Sequence, residues 1–145
     1  MYLPLYIDFR KKKVLVVGLG RVGRKRAEKL LKFGASVTAI DRKKIKFKKV
    51  RLIQRELHPD DIPPLKKYFL VVASTDDGKL NAAIAEKAKR EGCLVSRADR
   101  FKGGNVIFPA VVETRAGMMS FTTFGKNPKL TKLIKEALEL GLPDK

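Results

Sequence analysis

The sequence predicts an α/β fold: a doubly wound parallel sheet followed by a small β-hairpin and a helix. Two observations lead to this prediction. Apolar runs typical of buried strands alternate with amphipathic helical stretches up to about residue 97, as in sheets built from βαβ units. From residue 101 this alternation gives way to two neighbouring extended stretches and one helix. We therefore expect one domain over residues 1–100 and a smaller segment over residues 101–145.

The first βαβ unit is expected over residues 14–41. Residues 14–17 form a continuous apolar run, as in a strand that is buried on both faces. A helical pattern follows and stops at Gly34, a residue suited to the end of a helix. Residues 36–40 return to strand character and end at Asp41. The apolar stripe of the helix comprises Val22, Ala27, Leu30, Leu31 and Phe33.

Three more strands and a second helix complete the predicted sheet. Residues 50–53 and 69–73 are predicted strands, separated by a proline-rich connection. A helix is expected over residues 81–91, and a fifth strand over residues 93–95. Cys93 has strand neighbours and is predicted to lie in the core, not to act as a nucleophile. The inward face of the second helix comprises Ala82, Ile84, Ala85 and Ala88.

The last segment is predicted to be a hairpin and a helix. Residues 106–114 and 118–124 are extended stretches on either side of a turn, and residues 129–140 show a helical apolar stripe. Two strands and one helix make a thin core. We therefore expect this segment to pack on a second copy of itself or on a domain outside the chain.

A glycine motif stands between the first strand and the first helix. The six residues read Gly-Leu-Gly-Arg-Val-Gly and match G-x-G-x-x-G in the context that gives this pattern meaning. Gly18 permits a tight turn, Gly20 leaves room for a pyrophosphate, and Gly23 lets the helix pack close to the strand. The motif predicts a Rossmann-like dinucleotide site. The backbone N–H groups expected to meet the phosphates are those of Arg21 and Val22.

The ends of the second and fourth strands supply further candidate cofactor ligands. Asp41 lies 18 residues beyond the last motif glycine and could accept hydrogen bonds from an adenosine ribose, which favours NAD. The adjacent Arg42 and Lys43 could attract a 2′-phosphate, so NADP remains an alternative. Ser74 and Thr75 could line the cleft or cap the following helix, and the same residues could do both.

Asp99 is the candidate for chemistry. The only histidine is His58, and no spacing of metal ligands or nucleophile–base pairs is readable, so no metal site is expected. Asp99 follows the fifth strand among Arg97, Arg100 and Lys102. An acid among cations stays ionised and can act as a base or bind a cation. The alternative is a surface salt bridge.

Several motifs, taken in order, resemble one family. They are Leu3-Pro4-Leu5-Tyr6, the glycine motif, Ala73-Ser74-Thr75-Asp76-Asp77, Ala98-Asp99 and Phe108-Pro109-Ala110. From residue 3 to about residue 140 the chain resembles precorrin-2 dehydrogenase, the N-terminal dehydrogenase and ferrochelatase part of siroheme synthase. The resemblance implies NAD-dependent oxidation of precorrin-2 to sirohydrochlorin, with Fe²⁺ insertion in some members. It also implies a role for Asp99 in both activities, and a homodimer formed through the last segment.

The implied substrate would account for the charge. The chain carries a formal net charge of +18, and precorrin-2 is a macrocycle with many carboxylates. A positive cleft would concentrate such a substrate and hold it against the nicotinamide. The candidate substrate-binding residues are Arg97, Arg100, Lys102, Arg115 and Lys126.

Two features depart from the family pattern. Members commonly continue into a further helical domain, which is not expected after Lys145. The lack of this domain argues against metal insertion more than against dehydrogenation. The Ser-Pro turn of some members is replaced by Gly125-Lys126-Asn127-Pro128, so a regulatory serine is not expected there.

Two other functions compete with this interpretation. The glycine motif is also similar to that of NAD-sensing regulatory domains of potassium transport systems, which should keep a sixth parallel strand after residue 97. The charge would also suit nucleic acid, but aromatic residues are not interleaved with the basic clusters and no recognition motif is present. Nucleic-acid binding is therefore not expected.

Composition excludes several other classes. A chain of 145 residues can bury a core without disulfides, and the single cysteine cannot form an internal one. No apolar run approaches the roughly 20 residues of a membrane helix. Residues 1–8 lack the basic start of a signal peptide. We therefore expect a cytoplasmic protein without membrane association.

Overall fold

A parallel sheet forms the centre of the computed structural model, which describes residues 1–141. Within those residues the sheet has five strands in the order third, second, first, fourth, fifth. This arrangement confirms the predicted α/β fold. The strands are β1 (Lys13–Val17), β2 (Ser36–Asp41), β3 (Val50–Gln54), β4 (Leu70–Ala73) and β5 (Leu94–Arg97).

Two helices connect strands of the sheet. Helix α1 (Arg21–Lys32) joins β1 to β2, and helix α2 (Gly78–Arg90) joins β4 to β5. The two connections run outward from the centre in opposite directions, so right-handed crossovers place the helices on opposite faces. Strands β1 and β4 are therefore covered on both sides, and all four residues of β4 are buried. The sheet is doubly wound, as expected.

The carboxyl ends of four strands meet at one edge of the sheet. Val17 pairs with Ile40 of β2 and with Ala73 of β4, and Ala73 pairs with Arg97 of β5. The segments that follow these strands carry the glycine motif, Asp41 with its neighbours, Ser74 with Thr75, and Asp99. This is the edge at which open α/β sheets bind ligands.

Two details of the helices differ from the prediction. Helix α2 begins at Gly78, three residues earlier than expected, because the Asp77 side chain caps it. Asn81 therefore lies on the buried face of the helix, whereas Ala82 is only partly buried. In α1, Val22 was assigned to the apolar stripe but is 42% exposed, since it lies in the first turn at the edge of the sheet.

The chain divides into two compact units, Met1–Val106 and a second that begins at Ile107. The second unit contains β6 (Ala110–Thr114) and β7 (Gly117–Phe121), paired antiparallel, and α3 (Pro128–Gly141). The hairpin and helix are confirmed, with strands shorter than expected. All of β7 is exposed, so this unit does have a thin core. Its exposed apolar side chains include Met118, Met119, Phe121, Phe124, Leu130 and Leu133.

Two findings bear on the competing functions. Over residues 1–141 the parallel sheet ends with β5, and the chain then enters the hairpin unit without a sixth parallel strand. This is unlike the potassium-transport regulatory domain considered above. None of the helices in this part of the chain is long and apolar enough to cross a membrane.

Candidate functional site

The glycine loop after β1 packs tightly against the loop after β4. Gly18 has a φ of +89°, in the left-handed region that favours glycine. A Cβ atom on Gly18 would lie 2.6 Å from the carbonyl oxygen of Ser74, and one on Gly23 would overlap the carbonyl oxygen of Gly18. These two glycines therefore allow the strand, the loop and α1 to approach each other closely, as the motif predicts.

Gly20 has a different environment from the other two motif glycines. A Cβ atom there would have no atom within 4 Å, so the space beside it is open. Gly20 is also the N-cap of α1, where it offers no side-chain acceptor, and the first turn carries no acidic residue. The first backbone N–H groups of the helix, those of Arg21 and Val22, can therefore bind an anion. This geometry fits the pyrophosphate of a dinucleotide.

Asp41 fixes the glycine loop to the end of β2. Its Oδ2 accepts a hydrogen bond of 2.7 Å from the backbone N–H of Leu19, and its Oδ1 accepts one of 2.8 Å from the N–H of Lys43. Each carboxylate oxygen keeps a second acceptor position for a ribose hydroxyl. The neighbouring Arg42 lies 3.5 Å from Asp76 in an exposed ion pair of the weak, solvent-screened kind.

Ser74 ties the loop after β4 to the glycine loop. Its backbone N–H donates to the carbonyl oxygen of Val17 at 2.9 Å. Its hydroxyl lies 2.8 Å from the carbonyl oxygen of Gly18 and 3.0 Å from that of Val17. The N-cap of α2 is Asp77, whose Oδ1 accepts from the first turn. The capping role considered for Ser74 and Thr75 is therefore wrong.

Asn81 holds Thr75 in place, and sequence reasoning missed it. Its side chain is fully buried, and its Oδ1 accepts hydrogen bonds from the backbone N–H and the hydroxyl of Thr75, at 3.0 and 2.7 Å. Its Nδ2 donates to the carbonyl oxygen of Thr75 at 3.0 Å. The sequence did contain one indication of this role, since Asn81 is a polar residue on the inward face of an amphipathic helix. A buried side-chain amide needs hydrogen-bond partners, so such a position predicts a structural contact.

Asp99 forms a two-point ion pair with Arg97. The Arg97 Nε donates to Oδ1 at 3.0 Å and its Nη2 donates to Oδ2 at 2.5 Å. This hydrogen bonding lowers the pKa of Asp99 and raises that of Arg97, and Asn81 lowers the pKa of Asp99 further. Arg97 is the last residue of β5 and Asp99 lies in the bend that follows, so the spacing of the two residues did not by itself predict the pair.

Arg97 differs from the other four residues predicted to bind substrate carboxylates. Its Nε and Nη2 donate to Asp99, and its side chain is only 11% exposed. Arg100 and Lys102 are exposed residues of the first unit. Arg115 and Lys126 are exposed residues of the second unit, so the five candidates do not form one cluster within either unit.

A groove of about 530 Å³ lies elsewhere on the first unit. Residues of β2, β3 and the connection to β4 line it, among them Ile40, Ile53 and Tyr68. It lies where this connection has no helix to cover the sheet. None of the glycine-motif residues lines it, so it is separate from the candidate cofactor site.

Comparison with known proteins identifies the first unit as a nucleotide-binding one. A family described as putative NAD(P)-binding matches residues 5–110. That range contains the glycine motif, Asp41, Ser74 and Asp99.

The chain is also similar to named enzymes. It is 33% identical over 148 residues to siroheme synthase of Buchnera aphidicola subsp. Acyrthosiphon pisum, covering 99% of this chain and 31% of that protein. It is 34% identical over 146 residues to siroheme synthase 1 of Pectobacterium atrosepticum, covering 98% and 30%. The chain thus spans about a third of the length of these relatives.

A solved structure provides the third similarity. The chain superposes on SirC, precorrin-2 dehydrogenase, with a TM-score of 0.74 and 27% identity, covering 99% of this chain and 72% of that one. The resemblance stated from the sequence motifs is therefore confirmed.

Proposed function

The chain belongs to the putative NAD(P)-binding family, and on that premise we propose that it is an NAD-dependent precorrin-2 dehydrogenase that forms sirohydrochlorin. The observation that carries the proposal is the similarity to SirC, which extends over 99% of this chain. The open space at Gly20 beside the free start of α1 supports it independently, since a dinucleotide needs this arrangement.

The cofactor ligands follow from the geometry of the sheet edge. The backbone N–H groups of Arg21 and Val22 would hold the pyrophosphate, and Asp41 would accept hydrogen bonds from the adenosine ribose. A 2′-phosphate there would meet the Asp41 carboxylate, whose charge repels it, so NAD is the proposed cofactor. When bound, the nicotinamide ring supplies the hydride acceptor for the reaction.

Asp99 is the proposed proton acceptor. Oxidation of precorrin-2 to sirohydrochlorin would remove one hydride and one proton for each NAD reduced to NADH. A carboxylate oxygen of Asp99 would accept the proton and release it to water, and the bound nicotinamide would supply the hydride acceptor. Arg97 lowers the pKa of Asp99, so the carboxylate is in its ionised form near neutral pH, the form that can accept a proton, although the same hydrogen bonds make it a weaker base.

The remaining roles fall to basic and apolar surface residues. Arg100, Lys102, Arg115 and Lys126 remain candidates for the substrate carboxylates. Lys43 and Thr75 remain candidate cofactor contacts. The second unit exposes apolar side chains on β7 and α3, as expected if a second copy covers them in a homodimer.

An anaerobic turnover assay tests this function. The protein is incubated with precorrin-2 and NAD, and the sirohydrochlorin spectrum is followed together with NADH formation. Equal amounts of the two products are expected. Product formation without NADH, or no product at saturating NAD, would rule the function out. Adding Fe²⁺ afterwards tests the metal insertion that the resemblance implies for some members.

A further inference from the structure

The Arg97–Asp99 ion pair at the end of β5 has more contacts with the surrounding chain than an exposed salt bridge has. We infer that Arg97 is a positioning residue that holds Asp99 in a single orientation. We also infer that residue 103 must be glycine to leave space for the Arg97 side chain in this position. This inference rests on the proposed function, because it assigns how the proposed proton acceptor is held.

The guanidinium of Arg97 is anchored on two sides. Its Nε and Nη2 donate hydrogen bonds to the two carboxylate oxygens of Asp99. A lysine cannot reproduce this planar two-point geometry. Its Nη2 also lies 3.4 Å from the carbonyl oxygen of Gly78, in the first turn of α2. The pair is therefore attached to the start of this helix as well as to the end of β5.

The chain then folds over the guanidinium. Residues Phe101–Gly103 form a short 3-10 turn after Asp99. A Cβ atom on Gly103 would overlap Cδ of Arg97 and lie 2.8 Å from both Nε and Nη1. Even alanine at position 103 would therefore have to displace the Arg97 side chain, whose hydrogen bonds leave it little freedom to move.

This arrangement determines how Asp99 can react. Because Arg97 donates to both of its oxygens, the carboxylate cannot rotate about its bond to Cβ without breaking the pair. The acceptor positions that remain therefore point in fixed directions, and the side chain is 29% exposed. A fixed acceptor suits proton removal from a bound substrate, where misplacement by about 1 Å can cost about 100-fold in rate.

A role in positioning predicts different kinetics from a role in substrate binding. If Arg97 acts through Asp99, replacing it lowers kcat and leaves the KM for precorrin-2 nearly unchanged. If it binds a substrate carboxylate, the KM rises instead. The charged groups acting on this pair are Arg97 and Asp99 themselves and Glu86 of α2. Loss of Arg97 should raise the pKa of Asp99 and move the acidic limb of the kcat profile to higher pH.

Four variants test the inference in the full chain. Arg97→Gln is expected to lower kcat about 100-fold. Arg97→Lys keeps the positive charge and should lower kcat only about 10-fold, which would be a partial rescue. Gly103→Ala, which leaves both charged residues in place, should behave like Arg97→Lys. Gly141→Ala is the control, because a Cβ atom there meets nothing within 4 Å. Circular dichroism and NAD affinity establish that each variant folds.

Two results would overturn the inference. One is wild-type kcat in Arg97→Gln or in Gly103→Ala, with or without a raised KM. The other comes from NMR titration of the Asp99 carboxyl, which needs no turnover. Its pKa should rise in both variants, and an unchanged value would show that the pair does not hold it. If the wild type does not oxidise precorrin-2 but the titration behaves as expected, the proposed function fails and the positioning of Asp99 stands.

Discussion

The carboxylate of Asp41 accepts a hydrogen bond of 2.7 Å from the backbone N–H of Leu19, in the middle of the glycine loop. The residue proposed to bind the ribose thus also sets the position of the loop proposed to bind the pyrophosphate. Cofactor preference and loop geometry therefore depend on one side chain.

Replacing Asp41 should change which cofactor binds. In Asp41→Asn an amide oxygen can still accept from Leu19, but the negative charge that opposes a 2′-phosphate is gone. We expect affinity for NAD to fall about 10-fold and affinity for NADP to rise, measured by calorimetric titration of both. Asp60→Asn, which removes an exposed carboxylate from the connection between β3 and β4, should leave the ratio unchanged. An unaltered ratio in Asp41→Asn would refute its role in selectivity.

The motif glycines should separate into two classes on substitution. Gly23→Ala places a Cβ on the carbonyl oxygen of Gly18 and should cost about 1–3 kcal/mol in the free energy of unfolding. Gly20→Ala meets open space and should leave stability unchanged while weakening NAD binding. Urea denaturation and NAD titration of both variants check this. Equal stability losses would contradict the described loop, and undiminished NAD binding by Gly20→Ala would contradict the pyrophosphate site.

Asn81 should matter for stability more than its residue type suggests. In Asn81→Ala the backbone N–H and carbonyl groups of Thr75 lose their partner in a partly buried place, at a cost of about 2 kcal/mol. Lys79→Ala, in the same turn but exposed, should change stability by less than about 0.5 kcal/mol. Both are measured by chemical denaturation. A loss in Asn81→Ala no larger than the control's would mean that the amide does not support Thr75.

The Arg97–Asp99 pair should make stability depend on pH. The folded-state pKa of Asp99 lies below its ordinary value of about 3.9. The pair therefore contributes stability that is fully present above that pH and is lost as the pH falls through the folded-state pKa. At neutral pH, Asp99→Asn should be about 1–2 kcal/mol less stable than the wild type. The gap should shrink as pH falls below about 4. A constant gap across that range would mean that ionisation of Asp99 is not coupled to folding.

The sequence was sufficient for the sheet and for the glycine loop, because both depend on local patterns. Continuous apolar runs specify strands buried on both faces, and the spacing of three glycines specifies where strand, loop and helix meet. The start of α2 was not predictable in this way. Asp77 and Asn81 are both good N-cap residues, and only the burial of Asn81 decides between them.

The pairing of Asp99 also depends on tertiary structure. Arg97, Arg100 and Lys102 all lie within three residues of it, and charge alone does not select one. The choice of Arg97 follows from the bend after β5, in which Asp99 lies, and from the space that Gly103 leaves for the guanidinium. Neither fact is visible in composition or spacing of charges.

A crystal structure of the protein with bound NAD would test the central claim most directly. The account predicts the pyrophosphate within hydrogen-bond distance of the backbone N–H groups of Arg21 and Val22, the adenosine ribose on Asp41, and the nicotinamide ring on the same side of the sheet edge as Asp99. NAD bound away from the glycine loop, or a loop left empty at saturating NAD, would contradict it.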